Sequence, residues 1–291
     1  MARRRAVGVV APTRFAAGFV FRLLKAVVIL ALVLVIVLGG VAAFLTYRIV
    51  TTQNSAEIVT PQTSFQTNYM NLSFTDRAGA EHEGWLLVGL KGAPVIILCH
   101  GYDSNRSELL SLGTVLRQNH FNVYLFNFAV PGTQGRSDLG VREIDTVLAV
   151  IEKLTKETGI NPKRVGLFGT TTGGFAALAA AQQSPPVKAI VLDTIYDDPR
   201  QMFEAQIEQL LGGSSFLFRV LAAAEFRLVT LGSKAPRIRE DLNKLENVPK
   251  LFISGRDTPL LAEATEKLYA LAPQPKRLLV LEHSQSAQAS G

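Results

Sequence analysis

The sequence predicts an α/β fold: a doubly wound, mostly parallel central sheet with a small helical cap, preceded by one transmembrane helix. Three observations carry this. Short apolar runs alternate with helix-period segments from residue 68 onward, as βαβ crossovers do. Two helical stretches, Met202–Leu211 and Phe216–Leu231, interrupt that alternation and mark a cap over about 198–235. Ala26 to Tyr47 is 22 residues without a charge, enough for a helix to cross a hydrocarbon core of ~30 Å.

The chain opens on a basic tail. Residues 1–25 hold Arg3, Arg4, Arg5, Arg14, Arg22 and Lys25 and no acid. The other 24 basic residues balance 24 acidic ones, so the net charge of +6 belongs to the tail. It does not describe a nucleic-acid-binding face. The apolar run exceeds the ~7–15 residues of a signal-peptide core, which favours an uncleaved anchor; a small-residue cleavage site around Val41–Ala43 is the rival reading. Six basic residues before the span, against Arg48 just after it, place the N-terminus in the cytoplasm. The domain then sits outside the cytoplasm at the cell membrane, and the expected partner of residues 26–47 is the lipid bilayer. Residues 48–67 are polar and read as a linker.

The domain follows over residues 68–291. Asn71–Thr75 and Glu81–Val88 flank Arg77-Ala78-Gly79 as a hairpin. Pro94–Cys99 is a continuous apolar run, suited to a strand buried on both faces. Leucines 109, 110, 112 and 116 predict a helix over Ser107–Gln118. Asn122–Phe128 is strand-like, and Val141–Lys156 places its apolar residues on one helical face. Val165–Phe168 is a strand, Phe175–Gln182 an Ala-rich helix, Ala189–Leu192 and Leu251–Ser254 strands. A helix from about Leu261 to Leu271 and the strand Arg277–Leu281 complete the pattern.

The segment VGLFGTTTGG (165–174) runs from a strand through a Gly-rich turn into a helix. It resembles the nucleophile elbow G-x-S-x-G of the alpha/beta-hydrolase superfamily, with Gly169 and Gly173 at the glycine positions. IILCHGYDSNRSELL is similar to the family's His-Gly oxyanion loop, and His100, Gly101 and Tyr102 match it. VPGTQGRS with the helix after it, VKAIVLDTIYDD and KLFISGRDTPL also resemble family segments in the family's order. The resemblance covers residues 68–290 and is strongest to membrane-anchored or secreted esterase- and lysophospholipase-like members. It implies a Ser–His–acid triad and an oxyanion hole; a terminal helix normally follows the last turn in this fold, and it is either lacking or lies past Gly291.

The three positions that carry the chemistry depart from the pattern. The nucleophile position is Thr171, flanked by Thr170 and by Thr172, where an oxyanion amide is expected. A β-branched residue at the elbow's positive φ costs about 1–3 kcal/mol. Two readings follow, a threonine nucleophile or a relaxed turn with none, and sterics favour the second. The acid position reads Thr258, with Asp257 one residue early; Asp257 is either a shifted acid or a solvated turn residue. The base position reads Ser286, with His283 three residues early, either a base on a rebuilt loop or an exposed strand-end histidine.

Other titratable groups read as structural. His100 belongs to the oxyanion-loop pattern, where its job is to hold the loop. Asp193, Asp197 and Asp198 suit helix capping, and Cys99 a small core position. Four scattered histidines and one cysteine give no metal-ligand spacing, and no phosphate loop or dinucleotide fingerprint is present. No metal or cofactor is expected. The favoured expectation is a membrane-tethered hydrolase-fold protein that binds a small acyl- or ester-like ligand, or a partner, with little or no turnover. The site would be a pocket under the cap near Tyr102 and Thr171. The rival is an ester hydrolase using Thr171, His283 and Asp257.

Overall fold

The computed structural model describes residues 14–52, 59–62, 68–129, 135–212, 216–231 and 235–284. Its first element is a 37-residue helix, α1 (Arg14–Val50), about 55 Å long at 1.5 Å per residue. The side chains of Phe19–Val37 on it are exposed, and Phe19–Val50 is long and apolar enough to be a candidate membrane span. The boundaries drawn from sequence shift here. Arg14–Lys25 is already helical, and Arg48–Val50 continues the helix where a linker was expected. Thr51–Thr52 (β1) then pairs antiparallel with Gly135–Arg136 (β6).

The domain is built on an eight-stranded sheet. Tyr69–Thr75 (β2) and Glu81–Leu87 (β3) form the expected hairpin, and β3 pairs antiparallel with Asn122–Phe126 (β5). The remaining strands run parallel: Val95–Cys99 (β4), Val165–Thr170 (β7), Val187–Asp193 (β8), Lys250–Gly255 (β9) and Lys276–Leu281 (β10). Their order is β10-β9-β8-β7-β4-β5-β3-β2. The two antiparallel strands thus extend one edge of a parallel sheet, as expected.

Helices cover both faces. A 3-10 turn (Arg106–Leu109) leads into α2 (Leu110–Gln118), and α3 (Glu143–Thr155), α4 (Thr171–Ala181) and α7 (Pro259–Leu271) follow. Helix α4 is the centre of the core, since every residue of TTGGFAALAAA is buried. Its Gly and Ala side chains are small enough to let the helix lie close to the strands. The crossing is tight: a Cβ on Gly169 would stand 2.6 Å from the Gly173 carbonyl oxygen, and one on Gly173 would stand 2.2 Å from that of His100. Neither backbone oxygen can retreat without moving a strand or a helix.

The stretch 198–235 contains α5 (Pro199–Leu211) and α6 (Phe216–Val229). Asp198 starts α5 with a reciprocal capping box with Gln201, and Gly212 ends it at φ +63°. Phe203 of α5 stacks on Phe226 of α6 at 4.6 Å between ring centroids. Together these helices stand over the C-terminal ends of the parallel strands.

Candidate active site

Strand β7 delivers Thr171 to the top of the sheet as the first residue of α4. Thr171 sits at φ +41°, so the relaxed turn favoured from sequence is not what forms. The strained elbow persists with a β-branched residue in it. Packing explains this, because the close crossing at Gly169 and Gly173 fixes the backbone on either side of the threonine. The Thr171 hydroxyl is nearly buried, and its Oγ1 accepts a hydrogen bond from the Tyr102 N–H at 3.0 Å. Thr170, one residue earlier, is fully buried, and its Oγ1 has no hydrogen-bond partner among the described residues.

A cavity of about 1010 Å³ opens above this point. Gly101, Tyr102, Thr171, Asp257 and Thr258 line it from the strand ends, and Met202, Ala205 and Gln206 line it from α5. A cavity is therefore present beneath α5 next to Tyr102 and Thr171. Thr172, the third oxyanion candidate, is buried but does not line the cavity.

The acid and base positions come out differently. Asp257 reaches the cavity, and its two carboxylate oxygens accept from the Ser284 N–H at 3.3 and 3.2 Å. Thr258 precedes Pro259 as the N-cap of α7, and its Oγ1 is buried with no hydrogen-bond partner among the described residues. His283 is exposed, lies outside the cavity and makes no hydrogen bond to Thr171 or Asp257. Asp257 thus reaches the backbone of the next residue, Ser284. Ser286 lies outside the described residues.

The other three histidines of the chain are engaged or remote. His100 Nδ1 lies 2.9 Å from the Gly101 carbonyl and donates to it, while Nε2 accepts from the Phe128 N–H at 3.2 Å. Both ring nitrogens are occupied in holding the loop, as the sequence suggested. His82 pairs with Asp76 at 3.1 Å and stacks on Phe74 in the hairpin. His120 occupies a turn at φ +71° after α2. None of the four reaches the Thr171 hydroxyl.

Two cavity residues escaped the sequence reading. Glu108 and Ser104 both line the cavity, with the Ser104 hydroxyl donating to the Glu108 carboxylate. Burial pushes the Glu108 carboxyl above the usual carboxylate range, although hydrogen bonds from Ser104 and the Gly101 N–H pull the other way. The spacing Asn105-x-x-Glu108 reads as an ordinary helix start, and Asn105 does accept from the Ser107 N–H. That local signal concealed a carboxylate facing the cavity. Cys99 is fully buried, and burial pushes its thiol far up, as befits a core residue. Asp198 caps α5, and Asp197 pairs with Arg239 at 2.6 Å. Among the described residues, no group of His, Cys, Asp and Glu is arranged to hold a metal ion.

An elbow at positive φ, a His-Gly loop against it and a cavity at the strand ends define this architecture, and the family model for the "Alpha/beta hydrolase family" matches residues 96–287, more than half of the chain. The chain belongs to the alpha/beta hydrolase family. Among curated proteins it is similar to YfhR of Escherichia coli O157:H7, 25% identical over 227 residues and covering 75% of this chain and 74% of that one. It also resembles the thiohydrolase aneE of Aspergillus aculeatus, 25% identical over 134 residues, covering 43% and 41% of the two chains. Among solved structures, the esterase Pf2001 of Pyrococcus furiosus superposes with a TM-score of 0.67 at 20% identity, covering 83% of this chain and 92% of that one. That likeness shows the shared fold.

Proposed function

We propose that this hydrolase-family chain is a membrane-anchored binding protein for an acyl- or ester-type ligand, with little or no turnover. The observation that carries the reading is the surroundings of Thr171. Its oxygen accepts from the Tyr102 amide, and no imidazole reaches it. A hydroxyl becomes a competent nucleophile only when a base takes its proton, and loss of that base lowers kcat by about 10⁶ in such triads. The cavity supplies what binding needs: about 1010 Å³, within the range of small-molecule sites, with Met202, Ala205 and Leu261 as apolar wall. The Tyr102 amide and the Ser104 and Glu108 side chains are the polar points that would orient a carbonyl or hydroxyl.

The apolar helix α1 serves as the anchor in this reading. The tail charges place the N-terminus in the cytoplasm and the domain outside it. Nothing in the charge distribution calls for nucleic acid as a partner.

Hydrolysis of p-nitrophenyl butyrate and octanoate by the full chain tests the reading. The expected rate equals that of Thr171→Ala, and a fluorescent fatty acid binds both proteins. Turnover by the native chain that disappears in Thr171→Ala and His283→Ala would establish the rival, an ester hydrolase using Thr171, His283 and Asp257.

A further inference from the structure

The anchor and the cap meet at a defined place. Thr46 lies near the end of the charge-free run, and its hydroxyl donates to Glu225 of α6 at 3.4 Å. Ala42, Thr46, Ile49 and Val50 are buried against the domain, and the Tyr102 hydroxyl donates to the Ile49 carbonyl at 2.8 Å. The 22 residues of Ala26–Tyr47 span about 33 Å as a helix, barely more than a hydrocarbon core of ~30 Å. If that run crosses a bilayer, Thr46 stands at its outer boundary, and α6 stands there with it.

Helix α6 is apolar on two sides. Ala222 and Phe226 face inward and are buried. Val220, Ala224 and Leu228 recur at helical spacing on the other side and are exposed, Leu228 at 66%, and Leu231, in the turn just past the helix end, is exposed at 75%. A two-sided apolar helix with one side uncovered calls for a second apolar medium. The neighbouring helix α1, whose outward side chains are apolar over most of its length, says which medium that is. Arg48 and Arg227, each two residues beyond the Thr46–Glu225 contact, are exposed, as suits a surface of phosphate headgroups. The cap also borders the cavity, because Leu210 and Gly212, at the end of α5, line it, and Leu210 is half-exposed.

We infer that the outward side of α6 is seated in the headgroup–acyl boundary of the bilayer that α1 crosses, so that the cavity takes an acyl-chain amphiphile from the membrane. The inference rests on the anchored, ligand-binding reading above and names its ligand class.

Depth measurements on the full chain in phosphatidylcholine–phosphatidylglycerol vesicles test the seating. Leu228→Cys and Leu231→Cys carry an environment-sensitive dye, and Lys163→Cys, exposed just before β7 at the opposite end of the strands, is the control. Cys99 is buried and stays unlabelled. Doxyl-labelled lipids are expected to quench the dye at 228 and 231 at least about three-fold more than at 163, as for an interfacial helix. Equal quenching at all three sites would overturn the seating. A phospholipid with a diazirine in its acyl chain tests the loading: adducts are expected at Leu210–Leu211 and Leu260–Leu261, and adducts confined to α1 would overturn it. Release of the chain by alkaline carbonate would remove the span and this surface together. Ester turnover bears only on the non-hydrolytic reading and moves neither quenching nor adduct position, so the two failures are told apart.

Discussion

Two regions at the top of the sheet, the β7–α4 crossing and the turns after β9 and β10, are built differently in this chain. At the β7–α4 crossing, the elbow backbone is kept around a threonine: Gly169, Gly173, a positive φ at Thr171 and the Tyr102 amide against its hydroxyl. At the turns after β9 and β10, Asp257 accepts from the Ser284 N–H, Thr258 starts α7, and the nearby histidine is exposed. The difference lies in what each position does for the fold. The elbow glycines keep two backbones apart at the centre of the core, so exchanging them breaks packing whether or not chemistry occurs. A triad histidine at an exposed turn holds nothing up, and only catalysis would keep it there.

This contrast can be broken or sharpened by substitution. The largest effect is expected from installing the family's serine and histidine at the elbow and last-turn positions. Thr171→Ser alone should leave ester hydrolysis at background. Thr171→Ser with Ser286→His should raise it by about 10² or more, the span a general base supplies; an unchanged rate would mean that more than the base has been lost. Next comes the crossing itself. Gly173→Ala puts a methyl group 2.2 Å from a backbone oxygen and should destabilise by about 3 kcal/mol, read from thermal unfolding in detergent. Asp257→Ala removes the carboxylate that accepts from the Ser284 N–H and should lower stability by about 1 kcal/mol, whereas Asp257→Asn, which keeps an acceptor, should lose less.

A pH-dependent effect is expected at Glu108. Burial raises its carboxyl above the ordinary glutamate value, so the folded chain keeps a proton that the unfolded chain has released. Stability contributed by this group is therefore full below the unfolded pKa and declines as pH rises through the raised one. Glu108→Gln should remove that decline, so that the variant gains on the native chain with rising pH; a constant offset in unfolding midpoint would contradict the assignment. The smallest effect belongs to His283→Ala, expected within about 0.5 kcal/mol of the native stability and without effect on hydrolysis.

The sheet was legible because its strands advertise themselves. PVIILC is a continuous apolar run and VYLF another, and the helices between the strands repeat their leucines and valines at helical spacing. Ends were less legible. The strand read as Val165–Phe168 runs to Thr170, and the helix read from Phe175 begins at Thr171. Gly and Thr are poor helix formers, and only the packing of α4 against the sheet forces them into the helix. Arg48–Val50 read as linker for a similar reason. The carbonyls of Ile49 and Val50 receive the Tyr102 hydroxyl and the Ser137 N–H, partners remote in sequence. At the site, the motif order revealed the elbow. The relaxed turn was misjudged because local sterics were weighed without the crossing that overrides them. Glu108 was missed because its spacing fits a helix start equally well.

The central claim is that the elbow hydroxyl lacks a proton acceptor. A fluorophosphonate probe applied to the full chain, followed by peptide mass spectrometry, tests it most directly. The account predicts no adduct on Thr171 under conditions that label an active serine esterase to completion; a stoichiometric adduct on Thr171, abolished by His283→Ala, would contradict it.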